Sequence, residues 1–112
     1  WRGTQTLLLT TTGRRSGEPR ELPLIYGRNG DDYLIVASRG GSDAPPARYL
    51  NLQADPEVEV QVRDDRFKAH ARTATPEEKR ELWPTMTAEW PDYDAYQKRT
   101  DREIPIVILE RD

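Results

Sequence analysis

The residues of this chain best suited to chemistry are cationic and hydroxylic, and they gather in loops of its first half. Gly13-Arg14-Arg15-Ser16-Gly17 offers two guanidiniums, a serine hydroxyl and backbone amides freed by glycine, a set suited to a phosphate or a carboxylate. The same loop also reads as a solvated hairpin tip, because its spacing matches no P-loop. Ser38-Arg39-Gly40-Gly41 repeats the theme, with a hydroxyl and a guanidinium ahead of two glycines that let a ligand approach the backbone closely. Alone it reads equally well as an ordinary flexible loop; two such strand-end loops can converge on one anion. The third group is aromatic. Trp90, Tyr93 and Tyr96 lie three apart and can share one helix face, either packing a helix onto the fold or walling a planar heterocycle and donating hydroxyl hydrogen bonds to it.

Composition removes most other chemistry. With no cysteine and one histidine, disulfides, thiolate catalysis, thiolate zinc, cysteine-ligated clusters and a multi-histidine metal centre are excluded within one chain, so no metal site is expected. His70 falls on the polar face of its strand, which leaves no Ser/His/Asp arrangement. Asp101-Arg102 reads as an ion pair or a cap. The balance of 17 basic against 20 acidic residues, net -3, argues against nucleic-acid binding. Residues 1–51 carry seven arginines and five acids, whereas residues 52–112 carry ten basic and fifteen acidic groups, so an anion site belongs in the first half. Of the basic residues 14 are arginine and 3 lysine, and arginine is the side chain for bidentate anion recognition, although a GC-rich coding sequence gives the same ratio.

At 112 residues the chain is the size of a single domain, 1–112. Its apolar content of 35% makes a modest core, part of which a ligand or partner subunit is expected to cover. A mean hydropathy of -0.91, with no apolar run near the roughly 18 residues a bilayer span needs, excludes a transmembrane helix. No secretory signal is visible, and Trp1 is not an initiator, so upstream residues are expected.

The elements that must position these groups follow from pattern. Thr4–Thr12 is β-branched and apolar, the Gly13–Gly17 loop turns it, and Pro19–Arg28 is a second extended stretch. Asn29-Gly30 marks a two-residue turn into a third strand, Asp32–Ser38, completing a meander. Pro46 opens a short helix to about Gln53. Val58, Val60 and Val62 alternate with polar residues, Asp64-Asp65 turns the chain, and Phe67, Ala69 and Ala71 alternate on the return. Thr75-Pro76-Glu77-Glu78 is a capping box with proline at the first helical position, starting a helix to about Glu89. A short helix over Tyr93–Arg99 and a strand over Ile104–Glu110 complete the chain. Six strands with short helices between hairpins predict an α+β fold, a mostly antiparallel sheet closed into a barrel.

Several longer words point further: Leu8-Leu9-Thr10-Thr11-Thr12-Gly13-Arg14-Arg15-Ser16-Gly17, Ala37-Ser38-Arg39-Gly40-Gly41, Tyr49-Leu50-Asn51-Leu52, and Asp92-Tyr93 through Thr100-Asp101-Arg102-Glu103-Ile104-Pro105. In this order they resemble the deazaflavin-dependent nitroreductase family of actinobacteria along essentially the whole chain. The resemblance implies a split β-barrel of the FMN-binding type and binding of coenzyme F-420, an 8-hydroxy-5-deazaflavin with a polyanionic phosphate, lactate and oligoglutamate tail. It puts Arg14, Arg15, Ser16 and Gly17 on the tail, Ala37, Ser38, Arg39, Gly40 and Gly41 in a second coenzyme loop with Ser38 near the ring, and Trp90, Tyr93 and Tyr96 on the substrate side. Ser38, Tyr93 and Tyr96 are the catalytic candidates. Trp90 lacks the hydroxyl found there in some members, Arg39 replaces a usual lysine, and Arg48, counted with the coenzyme residues, replaces a usual tryptophan.

The implied activity is hydride transfer from reduced coenzyme to an electrophilic small molecule: a quinone, a nitro compound or an activated alkene. An FMN-binding split-barrel flavoprotein and a non-catalytic deazaflavin carrier are the alternative readings. The expected partners are a small-molecule acceptor and a second copy in a homodimer, and the expected location is cytoplasmic, with peripheral membrane contact through the N-terminal segment as the alternative. The family's N-terminal helical segment, which brings some members to the membrane periphery, is expected to be missing from these residues.

Overall fold

The computed structural model describes residues 5–38 and 46–112. Its elements are β1 (Thr6–Thr12), β2 (Pro19–Ile25), β3 (Gly27–Asn29), β4 (Asp32–Val36), α1 (Ala47–Ala54), β5 (Glu57–Val62), β6 (Asp65–Thr73), α2 (Pro76–Glu89), α3 (Asp92–Lys98) and β7 (Ile106–Arg111). The strands form one antiparallel sheet in the order β2-β1-β5-β6-β7-β4-β3. Its two edge strands, β2 and β3, are separated in the chain by Tyr26 alone. Because one residue spans less than about 4 Å, the sheet must curl until its edges meet at Tyr26. That curl makes the expected α+β split barrel. The Tyr26 N–H donates to Gln5 O at 3.2 Å and its hydroxyl to Gln5 Oε1 at 2.7 Å, fixing the corner to the chain entering β1.

Inside the curl lie Leu7, Leu9, Tyr33, Ile35, Val58, Val60, Phe67, Val107 and Leu109. The opposite face of β4 and β7, with Leu34, Val36, Ile106 and Ile108, is covered by Leu82 and Met86 of α2 and Tyr93 of α3. Two covered faces explain why 33–37 and 106–109 are apolar without interruption, whereas β5 and β6 alternate.

The structure corrects the strand count and the meander. The stretch Pro19–Arg28 breaks at Tyr26, so seven strands stand where six were expected, and β2 and β4 do not pair but belong to hairpins at opposite ends of the sheet. Both tight turns also sit one residue from their expected places. Asn29 pairs with Asp32 and Val62 with Asp65, so the turn residues are Gly30-Asp31 and Arg63-Asp64. Their first members have φ of 62° and 56°, the left-handed start that tight hairpins of this twist require.

The capping box is present. Thr75 Oγ1 accepts the Glu78 N–H at 3.2 Å and the Glu78 carboxylate accepts the Thr75 N–H at 2.9 Å. Arg72 of β6 grips the same carboxylate with two 2.8 Å hydrogen bonds, so α2 starts where the sheet holds it. The Arg72 guanidinium, with the Thr75 N–H second, holds the Glu78 carboxyl down to about 2. A carboxyl held below its ordinary value stabilises the fold above that ordinary value and loses the contribution as pH falls through the depressed one. Glu78→Gln is therefore expected to be less stable than the native protein to urea at pH 7, with the gap closing between pH 4.5 and pH 2; a gap that persists at pH 2 would refute the assignment.

Candidate functional site

The β1–β2 loop is built around two glycines. The Gly13 N–H donates to Glu18 O and the Gly17 N–H to Gly13 O, both at 2.8 Å, and Gly17 takes φ +73°, a conformation side chains other than glycine resist. A Cβ at Gly13 would lie 2.8 Å from Ser16 Oγ, 3.2 Å from Glu18 O and 3.6 Å from Arg20 Nε. The missing side chain thus lets the Ser16 hydroxyl and the Arg20 guanidinium close over the strand end, a cradle that alanine would fill.

Facing this loop is α1, which sends two side chains, i and i+3, to different strand ends. Asn51, 6% exposed, accepts on Oδ1 from the Arg14 N–H at 3.2 Å and from the Arg14 guanidinium at 3.1 Å. Arg48 donates from Nη2 to Val36 O at 3.1 Å and Ser38 O at 3.0 Å, at the end of β4. Between loop and helix is a cavity of about 520 Å³ lined by Arg14, Arg15, Ser16, Arg20, Arg48 and Thr11 among others, with no aspartate or glutamate among the described residues of its wall. No carboxylate of the described residues pairs with any of these four arginines. Burial lowers the Arg48 guanidinium from its ordinary value, yet it remains a cation at neutral pH.

The second expected coenzyme loop is described only in part. Ala37 is buried and its N–H is taken by Pro105 O at 3.0 Å, so it forms barrel wall rather than a free donor. Ser38 is half-buried beside the Arg48 head. Arg39, Gly40 and Gly41 lie outside the described residues.

Trp90, Tyr93 and Tyr96 come together as their spacing predicts. Trp90 caps the end of α2, its Nε1–H donates to the Tyr96 hydroxyl at 3.4 Å, and the Tyr93 and Tyr96 rings meet edge-on at 6.1 Å. They do not line the arginine cavity. The link is electrostatic: burial pushes the Tyr93 hydroxyl up to about 12, and the Arg48 charge acts against that rise. Tyr93 accordingly keeps its proton at neutral pH, in the form that can donate a hydrogen bond. His70 sits on the outer face of β6, 3.2 Å from Glu57 Oε1, away from the cavity.

Three polar residues of the cavity wall are not among the site residues expected from the sequence: Thr11, Arg20 and Asn51. Each carries a legible signal. Thr11 follows Leu7 and Leu9 as the third inward position of β1, a hydroxyl where the alternation calls for an apolar residue. Arg20 stands directly opposite Thr11 in the hairpin register, hence on the same face. Asn51 is a poor helix former in the middle of an eight-residue helix, a position that needs a polar task.

The residues present fit a polyanionic ligand: four cations on one wall that no carboxylate of the described residues pairs with, a glycine-made cradle, and a buried Thr11 hydroxyl without a partner among them. A family model for F420H(2)-dependent quinone reductases matches residues 1–111. The chain belongs to that family. It is 43% identical over 109 residues to the F420H(2)-dependent quinone reductase Rv1261c of Mycobacterium tuberculosis, covering 95% of this chain and 73% of that protein. A solved F420-H2 dependent reductase, FDR-A, superposes with a TM-score of 0.87 at 38% identity over 95% of this chain and 94% of its own. A second solved structure, described only as a domain-swapped dimer, gives a TM-score of 0.88 at 38% identity over 95% of this chain and 80% of its own. The deazaflavin dependence that the sequence words implied is thus the family's own, and the acceptor in the family description is a quinone where the resemblance spoke of nitroreductases. Among the described residues no helix is long and apolar enough to cross a membrane.

Because Asn51 satisfies the Arg14 backbone and side chain with one oxygen, Asn51→Ala leaves a part-buried N–H unpaired. Urea titration is expected to show a loss of about 1–2 kcal/mol; unchanged stability would mean that the loop does not depend on α1.

Proposed function

We propose that this protein transfers a hydride from reduced coenzyme F-420 to a quinone, and that the arginine cavity is where the coenzyme's anionic tail binds. The observation that carries the reading is the wall of four arginines without a carboxylate among the described residues, in a family whose members are named for that coenzyme. The coenzyme, when bound, supplies the hydride from C5; the protein supplies position and field. Arg14 and Arg15 bind the tail, with Ser16 and the Gly17 turn shaping the loop around it. Ser38 and Arg48 stand at the ring end, Arg48 holding the last carbonyls of β4 and carrying a charge that no carboxylate of the described residues offsets. Arg39, Gly40 and Gly41 are assigned to the same loop on the family resemblance. Tyr93 and Tyr96, with Trp90 behind them, form the acceptor side. Tyr93 orients the quinone oxygen by donating a hydrogen bond, and solvent supplies the proton to the hydroquinone anion. A homodimer is proposed from the related domain-swapped dimer.

Fluorescence titration with coenzyme F-420 and, in parallel, FMN tests the reading. Preference for the deazaflavin is expected, and preference for FMN would move the protein to the flavin branch. Arg14→Ala combined with Arg15→Ala should weaken coenzyme binding by about a hundredfold, and unchanged affinity would remove both from the site. Tyr93→Phe should lower quinone turnover about tenfold at native coenzyme affinity. If phenylalanine at both 93 and 96 leaves turnover of every quinone intact, neither tyrosine takes part, and if the native protein binds coenzyme without oxidising it, the protein is a carrier.

A further inference from the structure

Two buried side-chain polar atoms of the described residues have no hydrogen-bond partner, Thr11 Oγ1 and Arg48 Nε. Both residues line the arginine cavity, Thr11 from β1 and Arg48 from α1. Thr11 is 1% exposed and occupies an inward position of its strand. A valine there would fill nearly the same volume with no unpaired group, and a buried hydroxyl without a partner costs stability. The fold therefore does not explain the hydroxyl. A ligand does. Arg48 Nε–H can only donate, and the threonine hydroxyl can donate as well as accept, so an oxygen-rich anion offers acceptors that suit both.

We propose that Thr11 is an unassigned coenzyme-binding residue, whose hydroxyl donates, alongside Arg48 Nε–H, to acceptor oxygens of the bound deazaflavin coenzyme. This rests on the coenzyme reading of the cavity. It makes Thr11 a residue kept at the expense of stability, so that binding and folding respond to its replacement in opposite directions. A packing residue would not behave so, since its loss moves both the same way. The acceptor oxygens can belong to the ring carbonyls or to the phosphate of the tail.

The test uses Thr11→Val and Thr11→Ser, with thermal unfolding of the ligand-free protein and fluorescence titration with coenzyme F-420 and with its tail-less 8-hydroxy-5-deazaflavin chromophore. Thr11→Val is expected to melt higher than the native protein by about 4 °C and to bind coenzyme about tenfold more weakly. Thr11→Ser, which keeps the hydroxyl, should bind within about threefold of native. Weakening toward the chromophore as well as the full coenzyme supports a ring oxygen as the acceptor, and weakening toward the full coenzyme alone supports the phosphate. Native affinity in Thr11→Val overturns the inference while leaving the coenzyme reading intact, and so does a lower melting temperature, which would make the hydroxyl structural. No coenzyme binding by the native protein overturns both.

Discussion

Four guanidiniums around one cavity repel one another, and the described part of the fold holds them there without pairing them to a carboxylate. The means is the choice of partner. Asn51 Oδ1 takes Arg14, and the carbonyls of Val36 and Ser38 take Arg48. Neutral oxygens fix a guanidinium's direction but leave its net charge in place for a ligand. Three arginines of β6 and β7 are handled differently: Arg66 meets Glu59, Arg72 meets Glu78 and Glu110, and Arg111 meets Asp65. Those pairs bind strand to strand or strand to helix and cancel charge where it has no further use. The contrast between the two sets separates a binding wall from a structural one better than arginine content alone.

That wall depends on α1, and α1 depends on the barrel. The helix is short, with no side-chain cap at Pro46 and two buried residues, Asn51 and Leu52. Leu52 enters the core inside the curl, which fixes the helix's rotation, and Arg48 and Asn51 then point at two strand ends far apart in the chain. The spacing of those ends is set in turn by the closure at Tyr26. A residue inserted there would let β2 drift from β3 and carry the β1–β2 loop away from the helix.

Much of this was legible in the residues. Thr75 to Glu78 announced α2 because a capping box is local chemistry, complete within four residues. The Arg14-Arg15-Ser16 turn and the first-half excess of arginine located the cationic loop for a similar reason. The meander failed because Tyr26 breaks no local rule. An extended stretch can continue through it in either sheet geometry, and only the pairing of β4 with β7, across 70 residues of chain, shows that β2 and β4 are strangers. Asn51 escaped notice as a site residue because its partner, Arg14, is 37 positions away.

Thr11 shows how such distant arrangements leave a local trace. Along β1 the inward positions read Leu7, Leu9, Thr11, and threonine's β-branched shape satisfies the strand so well that its hydroxyl passes as incidental. Propensity and function are met there by different atoms of one side chain: Cβ and its methyl serve the sheet, and Oγ1 is left over. The same division holds at Arg48, whose Nη2 serves β4 while Nε has no task within the fold. Unspent hydrogen-bonding capacity on residues that otherwise serve the fold marks the point at which the demands of folding end, and in this chain both instances belong to residues that line the same cavity.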